Sequence, residues 1–311
     1  MGSVPTVIRA RVGVRQPASW ADLAGAYVVV SCIAAAALAR SGPEPFLRMN
    51  AVWLLLWATT TAVALACTGQ WYVHRRFNEL DFIRHNEVGG FIVSIVGGLY
   101  GVLLGFMTVI AWQHFADSRQ LVVQESAAST DAWHTSVGLP AEQRSRVRRD
   151  MLLYANAMLQ REWPAMRSRG FDKDADVIVM DAIGATGNFN PGNLKEANAQ
   201  VATLQQLGAL HDDRQGRLSR NRSGMAPFEW LVLMIGAACI VGFCWLFGLE
   251  RESVHLMMTS AVTIVMTATL VLLFELQCPF QSDLRIPPDD WNGVVSHIEF
   301  MQSGSQGEMR M

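Results

Sequence analysis

Long apolar runs divide this chain, and the clearest of them covers residues 91–112, which hold 22 residues and no charged side chain. At about 1.5 Å of rise per residue, a helix of this length crosses the roughly 30 Å hydrocarbon core of a bilayer. We therefore predict a transmembrane helix here. The other elements are organised around it.

The small and large residues of this helix fall on different faces. The small ones recur at three- and four-residue spacing, and the large ones lie on another side: Gly90, Ser94, Gly97, Gly98, Gly101 and Gly105 against Leu99, Leu103, Phe106 and Ile110. In lipid, a glycine face lets another backbone approach closely enough for dispersion and weak Cα hydrogen bonds to hold the pair. Close packing along the glycines, with the leucines toward lipid, is favoured over the alternative that the glycines line a narrow pore.

Two further apolar runs precede this helix. Residues 23–39 follow Arg9, Arg11 and Arg15 and end in small residues, which fits either a cleaved signal peptide or a first membrane helix. The long leader and Asp22 favour a retained helix. Residues 51–68 form the next predicted span, with tryptophans near its ends, where aromatic rings prefer the headgroup level.

Two more runs, 231–249 and 257–274, are separated only by the polar turn 250–253 and therefore predict an antiparallel hairpin. Ser260, Thr263 and Thr267 place hydroxyls along one face of its second helix. Such hydroxyls can line a pore, but more often they bond to their own helix or to a neighbour. We keep them as pore or packing candidates.

Residues 113–226 form the only substantial polar segment, and their apolar residues recur at helical spacing. The glycine-faced helix should continue out of the bilayer into this segment. A second helix follows Pro140 and is kinked or ended by Trp163-Pro164, a third covers 176–183 and is closed by Gly184, and a fourth includes 194–207. The prediction is an all-α membrane protein with four to five transmembrane helices and an all-helical soluble domain inserted between the third and fourth.

The predicted layout is an N-terminal arm (1–20), a membrane region (21–112), the helical domain (113–226), the transmembrane hairpin (227–276) and a C-terminal tail (277–311). The Gly/Ser/Gln-rich end of the tail is expected to be disordered. Arginines near the span ends divide seven against eight between the two sides, so they leave the orientation open. Because two spans separate them, the helical domain and the tail lie on the same side.

Composition excludes several classes of function. The chain is 51% hydrophobic and 17% charged, which is too apolar for a wholly soluble protein. The net charge of −2 argues against a nucleic-acid partner. Four of the five cysteines lie in apolar runs, and their spacing suggests neither a disulfide framework nor a zinc site. We expect no metal or cofactor.

No catalytic motif is present. The sequence lacks a P-loop, a dinucleotide fingerprint, a nucleophile elbow and a His-Glu-x-x-His zinc motif. The histidine spacings do not resemble a metal pair, and His211 with Asp212 and Asp213 fits a solvated helix end. The chain is therefore not expected to be an enzyme.

The tail directly after the last span carries Pro279, Phe280 and Asp283, followed by Arg285 and further acids. It could pack back against the helical domain, or its charges could form an exposed cluster. Both possibilities stay open from sequence.

Several short motifs, in order along the chain, resemble one family. They are the run 100–106 (YGVLLGF), Trp112, Ala116, Glu125-Ser126, Leu139-Pro140, Tyr154, Glu162-Trp163-Pro164 and Pro279-Phe280. Together they resemble the bestrophin-like membrane proteins of bacteria, over about residues 50–300. Gln277 and Ser282 depart from the pattern, which has an acid and a glycine at these positions.

The resemblance implies a layout and a function. Bestrophins are pentameric anion channels with two pairs of spans, a cytosolic helical domain and a cytosolic tail, and bulky apolar residues gate their pores. By this resemblance the chain would be a multi-pass protein of the cell inner membrane that forms a homo-oligomer in the lipid bilayer and conducts anions. The first positions to test would be Gly97, Gly101, Gly105 and Phe106. The alternative is a non-conducting interaction or sensing protein whose helical domain binds a partner.

Overall fold

The computed structural model describes residues 44–76, 86–248 and 251–308, and every regular element in these ranges is helical. Four of the described helices are long and apolar enough to cross a membrane. The apolar segment 23–39 and the arginines that precede it lie outside the described residues.

Ten α-helices follow one another in these ranges. They are α1 (Glu44–Leu47), α2 (Ala51–Arg76), α3 (Asn86–Thr135), α4 (Ala141–Ala157), α5 (Trp163–Met166), α6 (Lys173–Gly187), α7 (Leu194–Arg222), α8 (Pro227–Trp245), α9 (Glu252–Leu276) and α10 (Asp289–Glu308). A 3₁₀ turn, Ser136–Gly138, separates α3 from α4, and a π-helical turn, Met158–Glu162, separates α4 from α5.

The dominant element is α3, which holds 50 residues and is therefore about 75 Å long. It continues past Trp112 without a break, because its polar second half, from Gln113 to Thr135, contains neither proline nor glycine. One helix thus belongs to two bundles, an apolar one in its first half and a polar one in its second.

The apolar bundle consists of α2, the first half of α3, α8 and α9. Its core includes Tyr100 and Leu104 of α3, packed against Leu233 of α8 and Leu273 of α9. The Tyr100 hydroxyl donates to the carbonyl oxygen of Leu233 at 3.1 Å. Gly236, one turn further along α8, lies directly against the Tyr100 ring, so a backbone without Cβ is needed there.

The second bundle consists of the outer half of α3 with α4, α6, α7 and α10. Its apolar core includes Val122 and Trp133 of α3, Met151 of α4, Leu207 of α7 and Trp291 of α10, all buried. The segment between α9 and α10 also enters this core.

Three local expectations differ from the structure. Of the two alternatives for Trp163-Pro164, a kink or an end of the second domain helix, the end is wrong, because helical backbone continues through the π-helical turn and α5 to Met166. Gly184 does not close the third domain helix, α6. This helix starts at Lys173, where Asp172 caps it, and it runs to Gly187 because nothing crowds or breaks it at Gly184. The C-terminal end expected to be disordered is helical as far as Glu308.

Candidate functional site

The candidate site begins with the membrane half of α3, which presents three different faces. The face that packs inside the chain holds Tyr100, Leu104 and Ala111, all less than 10% exposed. It lies against α8 and α9. The other two faces are not covered by the described residues of the same chain.

The glycine face is open. A Cβ atom built at Gly97, Gly98, Gly101 or Gly105 meets no atom of the described residues within 4 Å. The described residues of the same chain therefore do not make the close packing predicted for this face, which stays a prediction.

The bulky face on the other side of α3 is also exposed. Leu99 is 70% exposed, Phe106 65% and Ile110 54%. Successive residues of an α-helix are about 100° apart, so Gly101 and Leu99 lie on opposite flanks of Tyr100. The apolar ridge and the glycine groove therefore lie on two different sides of α3. The face that packs against α8 and α9 lies between them.

The hydroxyl candidates of α9 lie elsewhere. Ser260 donates to the Leu256 carbonyl at 2.7 Å and lies 3.4 Å from the Cys67 sulfur of α2, while Thr263 donates to the Thr259 carbonyl at 2.8 Å. Thr263 and Thr267 line an apolar cavity of about 600 Å³ between α2, α8 and α9. The structure does not bring these hydroxyls together with the glycines of α3.

The tail motif docks on both bundles. Phe280 is buried and meets the Trp163 ring edge-on, with ring centres 6.0 Å apart. The Asp283 carboxylate accepts a hydrogen bond from the backbone N–H of Ala51 at 3.1 Å, at the first residue of α2. Pro279 contributes its carbonyl, which accepts from the Ile286 N–H at 2.8 Å. The tail segment thus joins the start of a membrane helix to the second bundle.

The two departures from the family pattern have visible roles. Gln277 accepts hydrogen bonds from the Trp230 ring N–H at 3.2 Å and from the Met225 N–H at 3.3 Å. An acid could accept both, but the amide does so without placing a charge beside α8. Ser282 is fully buried, where its small side chain fits the tight turn around Glu275.

A charged network lies in the second bundle where α3 leaves the apolar one. Glu125 of α3 accepts two hydrogen bonds from Arg217 of α7, from Nε at 2.5 Å and from Nη2 at 3.0 Å. The Tyr154 hydroxyl donates to the same carboxylate at 2.5 Å. All three side chains are fully buried.

Glu162 of the π-helical turn extends the network. Its carboxylate accepts from Arg217 at 3.2 Å, from Arg214 at 3.2 Å and from the Asp172 N–H at 2.7 Å. Arg214 also donates to Asp176 at 2.7 Å. A chain of alternating charges therefore runs from α3 through α7 and the π-helical turn to the start of α6.

The protonation states of the network follow from burial and from these pairings. Burial raises the pKa of Tyr154, and the charge of Glu125 raises it further, so its hydroxyl stays a donor. Burial, the largest single effect, would lower the pKa of Arg217, but the combined effect of Glu125, Tyr154 and Glu162 outweighs it and the pKa is raised overall. Arg217 is thus a permanent buried cation whose removal would leave carboxylates unpaired, at a typical cost of about 3–5 kcal/mol.

Sequence reasoning missed the two arginines of this network, which it treated only as charges ahead of a span. A signal was present, because Arg214 and Arg217 continue the apolar stripe of Leu207 and Leu210 along the buried face of α7. Charges on the apolar stripe of a helix need partners in the core.

The fold and these sites define a multi-pass α-helical membrane protein with a second bundle built on one of its spans. The family model for the bestrophin-like domain matches residues 60–290, and the chain belongs to this family. The motif residues Glu125, Tyr154, Glu162 and Trp163 are brought together in and around the buried network.

Solved structures share the fold. A bacterial bestrophin homologue from Klebsiella pneumoniae is 16% identical, with a TM-score of 0.58 over 78% of this chain and 97% of that one. A point variant of that homologue gives 13% identity and a TM-score of 0.59 over 78% and 98%. A crystal structure of a membrane protein variant gives 15% identity and a TM-score of 0.61 over 80% and 98%. No curated protein sequence matches the chain.

Proposed function

We propose that this protein is an oligomeric membrane channel that favours anions, with α3 at the contacts between subunits. The observation that carries the proposal is that α3 buries one face in its own chain, while the described residues leave two complementary faces, the glycine groove and the bulky ridge, uncovered.

The arrangement of the two faces supports a ring. A ridge on one flank and a groove on the other can pair between neighbouring subunits, the ridge of one copy in the groove of the next. Such a contact is head-to-tail, and head-to-tail contacts give a ring when the rotation closes. A ring of this kind places one α3 helix of every subunit around a common axis.

The path along α3 would be apolar. Between Glu87 and His114 the helix carries no ionisable side chain apart from the tyrosine hydroxyl of Tyr100, which is buried. A pore of this kind restricts flow through its width and wetting. Phe106 lies at the edge of the ridge farthest from the face that packs against α8 and α9, so it would face the axis and set both, while Leu99 and Ile110 would pair with the groove of the next subunit. The preference for anions rests on the family, as does the location in a bacterial inner membrane.

Chloride efflux from liposomes tests the proposal. Purified full-length protein, shown to be folded and oligomeric, should release chloride faster than empty vesicles and faster than it releases potassium. Phe106→Ala should increase the flux because it widens an apolar constriction. Phe228→Ala serves as the matched control, since Phe228 is 72% exposed at the start of α8 and outside α3.

Chloride flux no greater than that of empty vesicles would refute conduction. The alternative would then hold, a non-conducting interaction or sensing protein whose helical bundle binds a partner. Flux that responds equally to both phenylalanine variants would leave conduction in place but refute the position assigned to Phe106.

A further inference from the structure

A polar cavity of about 330 Å³ opens on the second bundle, between the C-terminal half of α7 and the start of α6. Its walls are Arg214, Gln215, Ser219 and Arg222 of α7, with Phe171 and Asp176 opposite. Most of these side chains carry hydrogen-bond donors, so the cavity is suited to a ligand that accepts hydrogen bonds.

Arg222 is an unpaired cation at this cavity. Its guanidinium lies over the Phe171 ring, 5.2 Å from the ring centre, and no carboxylate of the described residues lies within ion-pair distance of it. Stacking on an aromatic ring holds a guanidinium in place while its N–H groups stay free at the edge. The cation is thus held in position before any ligand arrives.

Arg214 places a second positive charge in the cavity wall. Its side chain is 1% exposed, and its Nε–H has no hydrogen-bond partner among the described residues. Its other nitrogens donate to Glu162, Asp176 and the Asp172 carbonyl. Because the Nε nitrogen is not accessible from the cavity, Arg214 contributes its positive charge to the cavity wall rather than a free hydrogen bond.

The acid in the cavity does not cancel this preference. Asp176 accepts from Arg214 at 2.7 Å and from Gln215 at 3.4 Å, so its charge is already shared with Arg214. Arg222 remains the cation without a counter-charge.

We propose that this cavity binds an oxyanion, a phosphate or carboxylate group, through Arg222 and Ser219, next to the buried charge of Arg214. The planar guanidinium fork matches two oxygens of such a group. The group can belong to a soluble ion or to a phospholipid headgroup, because Arg222 lies only five residues before Pro227, where the membrane helix α8 begins. The proposal concerns binding alone and does not depend on conduction.

The cavity also touches the network that reaches α3. Arg214 shares the Glu162 carboxylate with Arg217, and Arg217 holds Glu125 of α3.

Inorganic phosphate is the first probe, titrated calorimetrically into the detergent-purified full-length protein. Arg222→Ala should weaken binding about tenfold or more, the loss expected for one charge-assisted hydrogen bond. Arg146→Ala is the matched control, because Arg146 is an exposed arginine of α4 outside the cavity. Both variants should melt as the parent does without phosphate, since both side chains are exposed.

Nanodiscs with and without an anionic phospholipid separate the two sources. Phosphate binding lost only in Arg222→Ala supports a soluble ligand. A rise in melting temperature caused by the anionic lipid in the parent but not in Arg222→Ala, without phosphate binding, supports a headgroup. Equal losses in both variants, or no response to either probe, would overturn the proposal.

Discussion

Gly236→Ala gives a sharp test of how α8 packs against α3. A Cβ at this position would overlap the Cδ2 and Cε2 atoms of the Tyr100 ring. The ring is 7% exposed and is held by its hydrogen bond to Leu233, so it cannot swing away freely. Overpacking of this kind typically costs about 1–3 kcal/mol.

Gly242→Ala on the same helix is the matched control, because a Cβ there meets nothing within 4 Å among the described residues. Both substitutions gain up to about 1 kcal/mol of helix propensity. The difference between the two variants therefore isolates the overlap with Tyr100. At about 2–4 °C per kcal/mol for chains of 150–250 residues, a cost of about 1–3 kcal/mol should make Gly236→Ala melt roughly 2–12 °C below Gly242→Ala.

The assay is the apparent melting temperature, followed by tryptophan fluorescence in one detergent at one scan rate, because unfolding of such proteins is often irreversible. In a Tyr100→Ala background the difference between Gly236→Ala and Gly242→Ala should disappear. Equal melting of the two alanine variants in the parent background would show that α8 does not approach α3 as described.

Three further predictions test other parts of the structure. Arg217→Met should destabilise the protein by about 3–5 kcal/mol, and adding Glu125→Gln should recover part of this loss. A double variant that melts no higher than Arg217→Met alone would refute the pairing. Burial raises the pKa of Asp150, so the folded state disfavours its charged form. Asp150→Asn should therefore raise the melting temperature at pH 7, and the gain should shrink as the pH falls through the raised pKa and be largely lost below about pH 4, near the pKa of an unfolded aspartate. A gain that is constant with pH would exclude this cause. Gly101→Leu should disrupt the proposed oligomer while Gly242→Leu should not, as followed by size-exclusion chromatography. An intact oligomer in Gly101→Leu would refute a subunit contact at the glycine face.

The helical architecture followed closely from hydrophobic periodicity. The membrane helices were visible because charge is nearly absent from them, and the extension of α3 followed from the lack of any helix breaker before Pro140. Gly184 misled the prediction because a glycine that nothing crowds lowers helix propensity by only about 1 kcal/mol, which tertiary packing outweighs. The end of α10 was missed because its composition resembles a linker.

The buried network was less accessible to sequence reasoning. Arg217 and Glu125 are 92 residues apart, and only the fold shows that they meet. The sequence pattern did place Arg214 and Arg217 on the apolar stripe of α7. The sequence pattern showed that α3 has different faces. It did not show which face packs within the chain, because that depends on the close approach of Tyr100 to Gly236, which lies on another helix.

The mass of the purified protein in lipid nanodiscs tests the central claim most directly, because the proposed pairing of the ridge of α3 with a groove of α3 needs a second copy of the chain. The account predicts a particle whose protein mass is a multiple of 34.3 kDa, with two or more copies. A folded particle of 34.3 kDa, stable in lipid as a single chain, would contradict it.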